Sequence, residues 1–172
     1  GMIATAGAVA DGLVGHPIAT RRWHSEVTLP GLRKAEESTG RATGSCILAP
    51  YILTSIHESR EEAVRDAKSQ IGFYLTTELY HTILDLHDQR AVGAACREAF
   101  RKMDFVALAD AVPDDLVDEI AIACTPDEAH DRLAQWDGIA DEALFYPPSV
   151  GVGQRRLEAN LQTILELFGN PR

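Results

Sequence analysis

Basic charge is what this chain is short of: Lys and Arg total 16 against 26 Asp and Glu, a formal net charge of −10 at pH 7. A sequence-independent grip on nucleic acid relies on clustered Lys and Arg, so that class of partner is excluded. Long apolar runs are also missing. None reaches the roughly 18 residues a membrane helix needs, and the N-terminus lacks the basic-then-apolar layout of a secretion signal. The expectation is a cytoplasmic chain with no membrane partner. Cysteine is sparse: Cys46, Cys96 and Cys124 are odd in number and far apart, with neither zinc-finger nor redox-pair spacing, which predicts three reduced structural thiols. No repeat, low-complexity tract or linker divides the sequence. Its 172 residues suit one domain, 2–172, long enough to bury roughly 70% of its unfolded surface. Gly1 ahead of Met2 reads as the scar of a cleaved tag, with Met2 as the expected native start.

What the sequence does have is centred on Ser45 to Ile56, SCILAPYILTSI. Cys46, Leu48 and Ile52 fall on one face of an extended chain, and Ile47, Ala49, Tyr51 and Leu53 on the other. A strand apolar on both faces is covered on both sides, the usual state of a parallel strand in an α/β protein. A buried helix is the competing reading, but Pro50 inside the run would break it and a helix start follows. Pro50 also lacks a backbone donor, so one edge of this strand is expected to be imperfect. Ser59 to Glu62 has the Ser-x-x-Glu form of a capping box. Strand, short loop and capped helix make half of a βαβ unit.

Around this centre, Met2 to Ala10 reads as a helix and Gly12-Leu13-Val14-Gly15 as a short strand ending at His16-Pro17. Thr20 caps a helix carrying Trp23 and Val27, and Pro30 either kinks it or starts another that closes near Gly40. Beyond Arg60 an apolar stripe of helical period runs through Ala63, Val64, Ala67, Ile71, Tyr74 and Leu75, with a break near Thr76 and Thr77. Helices follow over Tyr80 to Leu86, Ala91 to Met103, and around Phe105 and Leu108. Pro113 opens another, with Asp114 and Asp115 at its positive end. Thr125-Pro126-Asp127-Glu128 combines an N-cap, a first-turn Pro and a capping Glu, and that helix should stop at Gly138. Ala143 to Tyr146 reads as a further short strand, and the last helix carries Leu157, Leu161, Ile164, Leu165 and Phe168. The expected fold class is a helix-rich α/β chain with about three strands and seven or eight helices.

Three segments together resemble the C-terminal part of the luciferase-like monooxygenase family, the flavin- and deazaflavin-dependent TIM-barrel oxidoreductases. MIATAGAVADGLVGHPI looks like the family's M-x-x-x-A-G-x-x-A-D-G helix leading into a strand. The central strand with SREEAVRDAKSQIGFYL behind it is the second segment. The third, VPDDLVDEIAIACTPDEAHDRLAQWDGIADEALFYPP, is similar to the family's V-P-x-x-L-V-D…G-T-P-x-E…R-L…D-x-G…P ending, with Cys124 where a Gly is common. The resemblance covers nearly all of Met2 to Pro148. It implies a partial TIM barrel whose three parallel strands resemble the last three of eight, and FMN or a deazaflavin, coenzyme F-420, as the cofactor. It also implies that the family's phosphate-binding loop and the strands supplying most of the ring pocket lie upstream of the region matched, so that with Met2 as the start half the active site is not encoded here. Three strands cannot close a barrel, which leaves two open edges and one face built to be interior. The candidates to cover them are a second copy of the chain in a homodimer, rearranged helices from Thr76 to Val112, or another chain supplying the missing strands.

In TIM barrels the reacting groups sit at the C-terminal ends of strands. The positions meeting that rule are His16 with Pro17, Thr54 and Ser55 with His57, and Tyr146 with Pro147. His16 and His57 are the acid, base or donor candidates; Thr54, Ser55 and Tyr146 are strand-end candidates for cofactor contact. All are weighed against being plain loop residues at the rim. His81, Asp85, His87 and Asp88 do not share one helical face, which reads as a solvated helix end rather than a metal site. Trp23 and Trp136 read as core. Gly151-Val152-Gly153 is only a fragment of a phosphate loop, and a turn before the last helix is the better reading, although that helix start could hold an anion. No nucleophile elbow surrounds any Ser or Cys. Two functions remain: a truncated luciferase-like oxidoreductase without full activity as an isolated chain, and a non-catalytic oligomeric α/β interaction module.

Overall fold

The computed structural model describes residues 1–169. Its first part holds α1 (Met2–Val9), β1 (Gly12–Gly15), α2 (Arg21–Trp23), a π-helical turn at His24–Thr28, α3 (Leu29–Ser38) and β2 (Ile47–Ile56). A helical insert follows: α4 (Arg60–Leu75), α5 (His81–Leu86), α6 (Arg90–Arg101), α7 (Phe105–Asp110) and α8 (Asp114–Ile120). The chain then returns through β3 (Ala121–Cys124), α9 (Ala129–Ala134), β4 (Leu144–Tyr146) and α10 (Gln154–Phe168). The fold class is that of the sequence reading, a helix-rich α/β chain with a parallel sheet. The strand that reading did not resolve is β3, which follows α8 without any turn residue between them.

Strand β2 is the hub. β1 pairs with it from Gly12↔Ile47 to Gly15↔Pro50, β4 from Tyr51↔Leu144 to Leu53↔Tyr146, and β3 from Leu53↔Ala121 to Ile56↔Cys124, all parallel. The edge weakened by Pro50 is repaired by side chains. Asp141 Oδ2 accepts from Leu48 N at 2.7 Å, and Leu48 O accepts from Asp141 N at 2.9 Å. Farther along, the buried Asn160 of α10 accepts from Ile56 N and donates to Thr54 O, both at 2.9 Å. Its amide does what a neighbouring strand would do, so these buried backbone groups are not left unpaired.

Both faces of β2 are covered over its second half. Leu53, Ala121 and Ala123 share a core with Ala67, Ile71 and Leu75 of α4, while Ile52, Ile56, Ile122 and Cys124 pack with Ala129, Trp136 and Ile164. Leu48 and Cys46 meet Leu32, with Ile3 and Ala6 of α1 against them. The first half of the Leu53 face is different. Val14 is 55% exposed and Tyr51 41%, although both sit on the sheet. So the insert covers half of the face that the family resemblance makes interior, and the other half stays open.

Two buried titratable groups hold the region before β2. Glu36 accepts from Cys46 N at 2.7 Å, from Gly44 N at 2.9 Å and from Arg33. Burial alone would raise its pKa, but these donors together hold it below the ordinary carboxylate value. His24, in the π-helical turn, is 1% exposed; Nδ1 meets Thr28 Oγ1 at 3.2 Å, and Nε2 is buried without a partner. Burial lowers its pKa from 6.5 to about 4. The unfolded chain therefore takes up a proton near pH 6.5 that the folded chain refuses until about pH 4. Stability from this group is complete above pH 6.5 and is lost as pH falls through that window, by about 3 kcal/mol. Urea unfolding at pH 7 and pH 4.5 should show this loss, and His24→Gln should remove most of the difference between the two curves. Equal pH dependence in the two proteins would refute the assignment.

Candidate functional site

The chain has four tyrosines; Tyr74 and Tyr80 pack against His16, and Tyr51 and Tyr146 line the same cavity as His16 and Tyr74. His16 directly follows β1, Tyr146 ends β4, Tyr51 lies mid-way along β2, and Tyr74 and Tyr80 come from the end of α4 and the turn after it. A cavity of about 510 Å³ opens here on the exposed face, walled by Val14, Tyr51 and Tyr146 from the sheet and by His16 and Tyr74 above. It lies at the carboxyl ends of β1 and β4, where α/β sheets place ligands.

The rings pack largely edge-on. His16 lies 5.2 Å from Tyr74 and 4.8 Å from Tyr80 between centroids, and Tyr51 lies 6.0 Å from Tyr146. Hydrogen bonds fix the polar ends. Ile18 N donates to His16 Nδ1 at 3.3 Å, so the ring proton of the neutral imidazole sits on Nε2 and points at Tyr80 Oη, 2.9 Å away. Tyr74 Oη donates to Tyr146 Oη at 3.1 Å. His16 keeps an open edge, yet the part of its ring under the tyrosines loses water, which lowers its pKa and keeps it neutral at pH 7. The Tyr74 hydroxyl is pushed upward, first by burial and then by its bond to Tyr146, so it stays protonated. Tyr146 accepts from Tyr74, which leaves its own proton free to face a ligand in the cavity, while Tyr80 accepts from His16 behind the cavity lining.

Gln70 secures this geometry from one turn back along α4. Buried at 2% exposure, its Oε1 accepts from Ser149 N at 2.9 Å and Val150 N at 3.1 Å, fixing the chain as it leaves β4.

Of the residues singled out from sequence, His16 and Tyr146 are brought together here. Thr54 and Ser55 are not: they are 0% and 2% exposed, Ser55 on the face of β2 that α4 covers and Thr54 on the opposite face, and Thr54 Oγ1 donates to Ile52 O. They have no surface for a ligand to touch. His57 lies past β2 at a separate cavity of about 820 Å³, with Gly153 on another wall. The polar cluster is dispersed: His81 is buried with Arg97 Nη1 at 2.9 Å from Nε2, Asp85 pairs with Arg90, and His87 Nε2 meets Thr20 Oγ1. Among the described residues no group of three or more His, Cys, Asp and Glu is placed to hold a metal ion. Tyr51, Tyr74 and Tyr80 had read as core or helix positions; their scarcity was the one available signal.

Residues 1–142 match the family model described as luciferase-like monooxygenase. An uncharacterised protein of Mycobacterium tuberculosis is 24% identical over 160 residues, which are 91% of this chain and 46% of that protein. The 5,10-methylenetetrahydromethanopterin reductase of Methanopyrus kandleri is 26% identical over 137 residues, 78% of this chain and 38% of that protein. The solved structure of the coenzyme F-420 dependent tetrahydromethanopterin reductase from Methanopyrus kandleri superposes with a TM-score of 0.69 at 20% identity, over 96% of this chain and 46% of that one. The chain thus spans about half the length, or less, of the relatives it matches.

Proposed function

Because the chain belongs to the luciferase-like monooxygenase family, we propose that its tyrosine face is one wall of a deazaflavin or flavin site in an oxidoreductase, completed by a second copy of the chain. The observation that carries this reading is that Tyr51, Tyr74, Tyr146 and a neutral His16 line one cavity on an open part of the sheet face, with Tyr80 packed against His16. Flat tricyclic rings want aromatic walls with polar groups at the edge, and this face offers both. Tyr51 and Tyr146 would hold the ring, and the hydroxyl of Tyr146 would donate to its polar edge, with Tyr80 orienting His16. The bound ring supplies hydride chemistry; the chain's own residues orient it and hold protons at Tyr80 Oη and His16 Nε2. The relative dependent on coenzyme F-420 supports the deazaflavin over FMN.

The residues fit the ring but not the tail. The tyrosine cavity is lined by no Lys or Arg to meet a phosphate, so that contact has to come from a partner surface. A second copy suits the face because Val14, Tyr51 and Tyr146 carry no charge, which matters when two chains of net charge −10 approach each other. The same lack of a cation favours the second reading, an oligomeric module that binds no cofactor. Titrating the chain with the deazaflavin coenzyme while following ring fluorescence separates the two. Saturable quenching that Tyr146→Phe weakens supports the first; no quenching up to millimolar coenzyme supports the module.

A further inference from the structure

The open tyrosine face does not end at its cavity. Tyr74 lies 6.1 Å from Phe73, Phe73 5.7 Å from Phe100 of α6, and Phe100 6.3 Å from Phe105 of α7, centroid to centroid. These contacts carry an aromatic surface from the sheet across the helical insert. Phe73 is 37% exposed and Phe105 43%, and Met103, between α6 and α7, is 66% exposed. Met103 is also held at a φ of +56°, the left-handed conformation that glycine takes freely at a helix end and a longer side chain takes at a cost. A methionine kept there in water brings the isolated chain no stability. Phenylalanine, methionine and arginine together are the residues that mark the core of a protein interface.

The same surface holds the charge that the tyrosine cavity lacks. Residues 90–102 carry four basic side chains, Arg90, Arg97, Arg101 and Lys102, against one acid, Glu98, in a chain of net charge −10. Arg101 and Lys102 follow Phe100 directly. They share the Glu98 carboxylate at 2.8 and 3.0 Å, and their side chains remain 73% and 62% exposed. Ion pairs this open to solvent are worth little, so both cations are available to a more strongly charged anion such as a phosphate. Within one copy neither lines the cavity. A two-fold axis passing near the boundary between Phe73 and Tyr74 changes that, because it makes the contact reciprocal and lays the insert surface of each copy on the tyrosine face of the other. Like surfaces meeting would instead set α6 against α6, basic against basic, which is disfavoured.

We propose that each tyrosine site is completed in trans: Met103 and Phe105 of a second copy close over Val14 and Tyr51, and Arg101 and Lys102 of that copy take the coenzyme phosphate. The proposal rests on the deazaflavin reading above and adds which surface of the second copy does the closing. Subunit mixing tests it. Tyr51→Ser removes a wall of the face, and the double variant Arg101→Gln with Lys102→Gln removes the cations. Each alone should keep the parent circular dichroism and weaken coenzyme quenching by at least about tenfold. Co-expressed with two different affinity tags and purified on both in turn, the pair gives dimers holding one chain of each kind, in which one of the two sites has both parts intact. About half of the sites should then quench with parent affinity. No recovery in the mixed dimer, no doubly tagged dimer, or parent-like binding by the glutamine variant would overturn the trans assignment while the parent still binds coenzyme. A parent that binds no coenzyme would overturn the deazaflavin reading itself, and this proposal with it.

Discussion

Leu53→Asp is expected to yield no folded, soluble protein. Leu53 is 1% exposed at the middle of β2, in one core with Ile71 and Leu75 of α4, Ile120 of α8 and Ala121 of β3. Truncating such a leucine costs about 2–5 kcal/mol through lost burial and the cavity left behind. A carboxylate without a partner adds several kcal/mol of desolvation, or else takes up a proton and leaves an unsatisfied hydroxyl. The sum is comparable to the whole stability of about 5–15 kcal/mol available to a domain. Leu48→Asp, at 0% exposure, should behave the same way from the opposite face. Circular dichroism with urea titration reads this directly. A soluble Leu53→Asp variant with native helix content and a parent-like midpoint would mean that α4 does not cover β2.

Tyr51→Asp tests the neighbouring position on the same face with the opposite expectation. Tyr51 lies two residues before Leu53, so its side chain points to the same side of the sheet, yet it is 41% exposed where the insert no longer covers the strand. The change in stability should stay within about 1 kcal/mol, as is usual away from enclosed sites. Function is where the effect should be large. An aspartate there removes an aromatic wall of the proposed ring site and puts a charge on the face where the proposed second copy would dock, already disfavoured by a net charge of −10 per chain. Coenzyme affinity should fall by about a hundredfold or more, and the chain should run as a monomer. A Tyr51→Asp protein that binds coenzyme and associates like the parent would remove the tyrosine face from the account.

What the sequence could tell follows from how local each signal was. The two-faced apolar pattern of β2 and its parallel setting were readable because each depends on residues within one strand. So were the cap at Ser59, which accepts from Glu62 N, and the capping box at Thr125 and Glu128. Pro50 correctly marked a weak edge, but not its repair, because Asn160 lies 104 residues from Ile56 and 106 from Thr54. β3 was hidden because it is only four residues long, Ala121–Cys124, and follows α8 with no turn residue between them. At the candidate site, the strand-end rule found His16 and Tyr146 but also selected Thr54 and Ser55, which are buried on opposite faces of β2. Tyr74 and Tyr80 join the site through contacts spanning 64 to 72 residues, beyond any spacing rule.

The central claim is that an open, aromatic sheet face is closed by a second copy around a flavin-type ring. The measurement that tests it most directly is the solution mass of the purified chain by light scattering, with visible absorbance recorded across the same peak after deazaflavin coenzyme is added and the excess removed. The account predicts twice the 18.7 kDa chain mass with the chromophore travelling in that peak. A peak at the single-chain mass carrying no chromophore would contradict it.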